Sequence, residues 1–395
     1  MNRPVYLDYA ATTPVDPRVA AAMAKCLTEE GEFGNPASAS HSFGDAARVL
    51  VETARAQVAA SVGAVPEEVI WTSGATEANN LAIFGVAEHY RESGRHIVTA
   101  RTEHKAVLDP CRELERRGWR VTYLAPDGGG LIHPGRLAAA LQADTTLVSL
   151  MHVNNETGVV QDIRSVAAIC AEHGGAWLHV DAAQSAGKRD LDFAHLGADL
   201  MSLSAHKAYG PKGVGALLVS RRAGGREAPV QLRALHFGGG QERALRAGTV
   251  ATHQVVGMGL AFELARAALE SEGERLGVLR ERLWRGLVPL GGVVRNGDAE
   301  HSVPHLLNVS FEGVEGESLL AAVRGRLAVS AGSACTSALQ EPSYVLRALG
   351  RGDVLSESSL RFGLGRFTCE SDIDAAIAVV TQAVSRLRRL SGHEL

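Results

Sequence analysis

The chain has 395 residues, 46% of them hydrophobic and 21% charged, which is the balance of a globular protein with apolar surface to spare for more than one core. A formal net charge of -4 and a pI near 6.4 give no electrostatic case for nucleic acid or an anionic membrane. The apolar runs stop short of a bilayer span, and the opening MNRPVYLDYAATTP has no apolar signal core, so the expectation is a cytoplasmic protein with no membrane and no direct nucleic-acid partner.

From its first third onward the chain alternates short β-rich runs with longer helical patterns. Residues 69–72 (VIWT), 96–100 (HIVTA), 121–124 (VTYL), 146–151 (TLVSLM), 177–181 (WLHVD) and 215–220 (GALLVS) read as buried strands. Amphipathic stretches such as 75–92 and 163–172 lie between them. That alternation predicts an α/β fold with a mostly parallel sheet flanked by helices. Beyond about Val255 comes a long charged helical stretch, LARAALESEGERLGVLRERLWRGL, followed by the strand-like LLNVSF and SLRFGL. The expected organisation is a large domain over residues 16–260 and a smaller α/β domain built from 1–15 and 261–395.

Ligands on parallel sheets sit at the carboxyl ends of the strands, so the residues just after each run come first. Lysines are scarce: Lys25, Lys105, Lys188, Lys207 and Lys212. Lys207, in SLSAHKAYGPKG, follows a strand and stands beside a histidine and a hydroxyl. Burial and neighbours can lower the pKa of such an amine and make it a nucleophile toward a carbonyl; standing alone, it would read better as a surface loop lysine. Asp181 ends WLHVD. A buried carboxylate there needs a cation or a set of donors, and a protonated pyridine nitrogen is one candidate, a helix N-cap the ordinary alternative. Gln184 follows three positions on, placed for a ring oxygen.

TSGATEAN leaves a strand and opens a helix, with Ala75 and Thr76 at the first helical positions, an arrangement suited to a phosphate. Ser204 and His206, close to Lys207, add donors. His104 and Asn155 also follow strands, as a stacking or proton-moving ring and as an amide. Arg361, in SLRFGL, is a fork suited to an α-carboxylate.

The five cysteines are Cys26, Cys111, Cys170, Cys335 and Cys369. They are odd in number and lack a CxxC pair, against both a disulfide framework and a zinc site, and no resident metal is expected. Cys170 reads as core, as do Cys26 and Cys111. Cys335, in the small and polar VSAGSACTSA, reads as an accessible thiol. Cys369, at a helix start, is its competitor.

Taken together, LDYAATTPVDPRV, FGNPAS, TSGATEANNLAI, NNETG, VDAAQSAGK, SLSAHKAYGPKGVGAL, FGGGQERALRAGT, AGSACTSALQEPSYVLRALG and LRFGLGRFT resemble the cysteine desulfurases. These are class V, fold-type I pyridoxal-phosphate enzymes, and the likeness is to the housekeeping iron–sulfur branch. The resemblance implies a large pyridoxal-phosphate-binding domain and release of L-alanine from L-cysteine, with the sulfur left as a persulfide on Cys335. It further implies Lys207 as the cofactor lysine and His104 as the stacking base. Asp181 would meet the pyridine nitrogen and Gln184 the ring oxygen. Ala75, Thr76, Ser204 and His206 would hold the phosphate, and Asn155 and Arg361 the substrate. Thr249 of RAGT would reach the neighbouring subunit's phosphate, making a homodimer with shared sites. The implied acceptor is an iron–sulfur scaffold or a tRNA-thiolation carrier, with Cys335 able to ligate a nascent cluster transiently. Two departures stand out: the C-terminus LRRLSGHEL is shorter than in the best-known members, and Cys369 occupies what looks like a hydroxyl position. An aminotransferase of the same fold is the nearest alternative. A dinucleotide enzyme lacks its GxGxxG.

Overall fold

A computed structural model describes residues 3–173, 175–222, 228–331 and 342–393. Twelve strands occur in the described residues. In chain order the first eight are β1 (Val5–Tyr6), β2 (Val69–Thr72), β3 (His96–Ala100), β4 (Arg120–Leu124), β5 (Thr145–Met151), β6 (Trp177–Asp181), β7 (Leu200–Ser204) and β8 (Gly215–Val219). The remainder are β9 (Val293–Arg295), β10 (Leu306–Phe311), β11 (Leu327–Ala328) and β12 (Ser359–Gly363). β2 to β8 form one seven-stranded sheet in the order β2-β8-β7-β6-β5-β3-β4.

Strands β4, β3, β5, β6 and β7 run parallel, while β8 is antiparallel to both β7 and β2. The parallel strands are joined by crossovers that carry helices, and buried helical faces cover both sides of the sheet. Their apolar residues split accordingly. Val98, Val148, Leu178 and Val180 belong to one core, with Val51, Val58, Met258 and Phe262 of the covering helices. Ile97, Leu147, Trp177 and Leu200 belong to the other, with Leu81, Val86 and Leu114. This is the alternation of successive side chains across a strand.

The alternating pattern hid one reversal. Because Gly215 pairs with Ser204, the chain turns back at the carboxyl end of β7 and re-enters the sheet beside it as β8, and Lys207 lies on that return. Close packing enforces the geometry: a Cβ on Gly215 would stand 2.4 Å from the Leu203 carbonyl and 2.7 Å from Gly74 Cα.

The three-stranded sheet β12-β10-β9 is antiparallel and has its own core. Leu307, Val309, Phe311, Leu360 and Phe362 pack there with Leu279 and Leu283 from the helix Leu269–Leu287 and Ile373 and Val380 from the helix Glu370–Ser391. The long charged stretch read as one helix is two, Thr252–Ala267 and Leu269–Leu287, meeting at Ala268. The N-terminal arm spans both cores. Its strand β1 pairs with β11 and Asp8 bridges to Gly363, whereas Thr13 reaches the other way, N–H and hydroxyl both donating to the His206 carbonyl at 2.9 Å.

One buried ion pair fixes the segment that carries Thr249. Arg55 from the helix Ser42–Ser61 meets Glu242 with Nη2 to Oε1 at 2.9 Å, and the Trp71 N–H donates to the same carboxylate at 2.8 Å. Glu242, Arg243 and Ala244 all have positive φ, at 44°, 56° and 60°. Three consecutive non-glycine residues in that region persist only where the surroundings hold them. Glu242→Gln leaves the buried Arg55 with only the exposed Glu52 carboxylate as counter-charge, so unfolding in denaturant is expected to show a loss of about 3 kcal/mol. A variant as stable as the parent would mean that the pair is not what holds the turn.

Candidate active site

The carboxyl ends of the parallel strands open into a cavity of about 520 Å³. Its lining brings together Ala75, Thr76, His104, Asn155, Asp181, Gln184, Ser204, His206 and Lys207, residues scattered over more than 130 positions of sequence. Each arrives by the same route, as the residue at or just after a strand end.

Asp181 closes β6 on the face that also carries His179. Its Oδ2 accepts from Asn79 Nδ2 at 2.7 Å and its Oδ1 from the Ala183 N–H at 2.9 Å. Asn79 was not among the sequence-predicted residues. The available signal was an amide one helical turn after Ala75, on the buried side of the helix Ala75–Tyr90. Beneath Asp181, the His179 ring is held between hydroxyls on the adjoining strands, Ser149 at 2.8 Å from Nδ1 and Ser202 at 2.9 Å from Nε2.

The helix Ala75–Tyr90 begins at Gly74 without a side-chain cap, at φ 153° and ψ 177°, a conformation that favours glycine. Its first N–H groups therefore face the cavity beside the Thr76 and Ser204 side chains, the arrangement that binds an anion. Glu77 also lines this end. Burial works to raise its pKa, yet Ser73 and Arg246 hold the carboxyl below its ordinary range; the Arg246 Nε donates at 2.9 Å.

The histidines here are biased toward neutrality. His104 caps the helix Lys105–Arg116, its Nδ1 accepting from the Ala106 N–H at 3.1 Å. In the neutral ring the proton then sits on Nε2. Burial, with help from Lys207, lowers the pKa of His104 despite the opposing pull of Asp181. His206 shares a hydrogen bond with the Thr12 hydroxyl at 3.1 Å, and burial, then Lys207, Lys212 and Lys188, bring it down to about 4. Burial also pushes Lys188 down to about 7, with Lys207 and Arg361 adding repulsion.

Arg361 lies outside the cavity lining but is bonded to its wall. Its Nη1 donates to the Asn155 carbonyl at 3.0 Å and its Nη2 to Asp8 at 2.9 Å and the Ser330 hydroxyl at 3.3 Å. Thr249 is exposed and also outside the lining. Its segment is tied to the cavity by the Arg246–Glu77 pair. Cys335 lies outside the described residues. Cys26, Cys111 and Cys170 are buried, and burial pushes the Cys111 thiol up to about 12. Cys369 is exposed at the start of the helix Glu370–Ser391.

A pyridoxal-phosphate fit can be tested on atoms of the chain. Asn155 Oδ1, Gln184 Oε1 and Asn79 Oδ1 are buried with no protein partner, although Gln184 Nε2 donates to the Ala10 carbonyl at 2.9 Å. Buried polar atoms of this kind call for a partner. An uncapped helix start for a phosphate, a buried carboxylate for a cationic ring nitrogen and a lysine at the same cavity supply the donor set of this cofactor. The residues fit the group.

The model for aminotransferase class-V matches residues 5–376. Cysteine desulfurase IscS of Pectobacterium atrosepticum is 56% identical over 99% of this chain and 95% of that protein. The enzyme of the same name from Methylococcus capsulatus is 57% identical over the same shares. Among solved structures, a NifS-like protein superposes with a TM-score of 0.89 at 34% identity, covering 97% of this chain and 100% of that one. DndA from Streptomyces lividans superposes at 0.77 with 42% identity, over 91% and 99%. The chain is thus a fold-type I protein of the class-V aminotransferase family, and within that family it belongs to the pyridoxal-phosphate-dependent cysteine desulfurases. Among the described residues no helix is long and apolar enough to cross a membrane.

Protonation of the buried ring next to Asp181 sets an acid limit on stability. Burial brings His179 down to about 4 from an ordinary 6.5. Between those values the unfolded chain binds a proton that the native chain refuses, so stability falls as pH falls through that window. In His179→Asn the loss between pH 6.5 and 4 is expected to be smaller by up to about 3 kcal/mol, read from denaturant midpoints across pH. Identical slopes in parent and variant would remove His179 as a source of acid sensitivity.

Proposed function

We propose that this desulfurase holds pyridoxal phosphate through Lys207 and passes the sulfur of L-cysteine to Cys335. The observation carrying this reading is the convergence of Lys207, Asp181, His104, Gln184 and the uncapped helix start on one cavity. In that arrangement Asp181 faces the ring nitrogen, its carboxylate steadied by Asn79 and Ala183. Gln184 and Asn155 would donate through their amide N–H groups to the one ring oxygen, and Ala75, Thr76, Ser204 and His206 would hold the phosphate. When bound, the cofactor supplies an electron sink that makes the substrate Cα–H acidic and its Cβ–S bond labile.

Lys207 and His104 move the protons, His104 with Nδ1 already committed to the Ala106 N–H. Asn155 orients the substrate. Arg361 receives its α-carboxylate, with Asp8 as the competing anion for the same guanidinium. The Cys335 thiolate then bonds to the substrate sulfur and the Cβ–S bond breaks. Its electron pair stays on Cβ, which takes a proton to become the methyl of L-alanine. Cys335 is left as a persulfide.

The same reading makes the protein a cytoplasmic homodimer in which Thr249 completes the neighbouring phosphate site. The exposed position of Thr249, five residues past a strained turn pinned by Arg55, supports it. Residues 16–260 would form the large domain and 1–15 with 261–395 the small one, a division supported by the separate cores of the two main sheets. The persulfide goes to an acceptor protein, an iron–sulfur scaffold first and a tRNA-thiolation carrier second.

Cys335→Ser is expected to keep the visible cofactor band and to lose alanine release and persulfide together, measured by amino-acid analysis and intact-mass spectrometry. Alanine release at the parent rate with a thiol reductant present would exclude Cys335 as acceptor. Thr249→Ala should weaken retention of pyridoxal phosphate about tenfold, the worth of one hydrogen bond to a charged group. Equilibrium dialysis measures it, and unchanged retention would end the shared-site reading.

A further inference from the structure

The turn that carries Asn155 is bonded to both flanks of the Cys335 segment. On the C-terminal side, the Ser343 hydroxyl donates to Glu156 Oε2, and its oxygen accepts from the Leu346 N–H at 3.1 Å as the cap of the helix Tyr344–Ala348. The hydroxyl proton therefore has one destination, the Glu156 carboxyl. Both residues are buried, Glu156 at 3% exposure and Ser343 at 2%. On the N-terminal side, Ser330 and Arg361 form an antiparallel bridge, the Arg361 N–H donating to the Ser330 carbonyl at 2.8 Å. The Arg361 guanidinium joins the Ser330 hydroxyl to the Asn155 carbonyl.

The backbone of the turn is itself immobilised. Asn154 Oδ1 accepts from the N–H groups of Glu156 and Thr157 at 2.9 and 3.0 Å. Asn308 Nδ2 of β10 donates to the Glu156 carbonyl at 3.1 Å. A carboxyl at this depth costs free energy, and nothing in cofactor binding uses it. Its place is explained by what it grips.

We infer that Glu156 is a positioning residue for sulfur transfer: through Ser343 it fixes one root of the Cys335 segment to the turn that presents Asn155. The inference rests on Cys335 being the sulfur acceptor. Cys335 comes five positions after Ser330 and eight before Ser343. Tying residues on both sides of the Cys335 segment to one turn refers the segment's two ends to the same few backbone atoms that present Asn155. Orientation of this kind acts on the rate of bond formation rather than on binding.

The test compares two events in the holoenzyme. Single-turnover persulfide formation on Cys335, read by intact mass, reports thiol delivery. Exchange of the L-cysteine α-proton with deuterated solvent, read by NMR, reports the chemistry that precedes it. Ser343→Ala is expected to slow persulfide formation about tenfold and to leave α-proton exchange and the visible cofactor band within about twofold of the parent. Glu156→Leu, which keeps the Ser343 cap, should show the same selective loss, and Ser343→Thr should restore the parent rate. Parent-like persulfide formation in either Ser343→Ala or Glu156→Leu overturns the inference, as does an equal fall in both rates. Cys335→Ser run alongside separates the two levels. If it still releases alanine at the parent rate, the acceptor assignment fails and this inference with it; if it is inactive while Ser343→Ala matches the parent, only the Glu156 role fails.

Discussion

The carboxylate of Asp181 is the constraint around which this molecule is arranged. A charge at the end of a central strand has to find donors or a cation, and here Asn79 and the Ala183 N–H meet it from two different elements. Satisfying Asp181 therefore fixes the helix Ala75–Tyr90 against β6, and that helix brings its uncapped start to the same cavity. His179, two residues back on the same face, is locked by hydroxyls from β5 and β7, so the strand cannot slide in register without breaking a buried polar chain. Cavity and sheet register are one problem with one solution.

The electrostatics follow from the same burial. His104, His206 and His179 are all held toward the neutral form, by desolvation first in every case. Rings that stay neutral leave the cavity's formal charge to its lysines and carboxylates, and they keep hydrogen-bonding capacity. Lys188 extends the pattern, since burial and the nearby Lys207 work against its charge. The positive field that an anionic cofactor meets is thus made by few groups and by oriented backbone N–H groups.

Much of the cavity was legible in the sequence because parallel sheets expose strand ends in a predictable place. Lys207, Asp181, His104 and Thr76 could be picked out by position after an apolar run together with residue type, before any likeness to a family was invoked. What stayed hidden was whatever depended on which elements meet. Asn79 looks like any polar helical residue until the helix is laid against β6. The reversal of β8 leaves no mark on a run of buried apolar residues, which reads the same in either direction. The break at Ala268 falls between two alanine-rich and charged stretches of equally good helix formers. Glu156, plain within NNETG, takes its meaning from Ser343, 187 positions away. Cys335 was chosen over Cys369 by the resemblance of its surroundings, and among the described residues Cys369 is the exposed thiol.

The reversal at β8 has a consequence for motion. Ser204 and Gly215 are paired across the sheet, and the Ala205 N–H donates to the Val214 carbonyl at 3.2 Å, so the stretch bearing Lys207 is stapled shut at its base. A loop closed in this way does not breathe by fraying; it opens when the sheet does. The bonded N–H groups of Ala205, Ala208, Tyr209 and Gly210 then exchange slowly, while the exposed Lys212 and Gly213 do not share that protection. The pairing at its base ties the backbone on either side of Lys207 to the sheet itself.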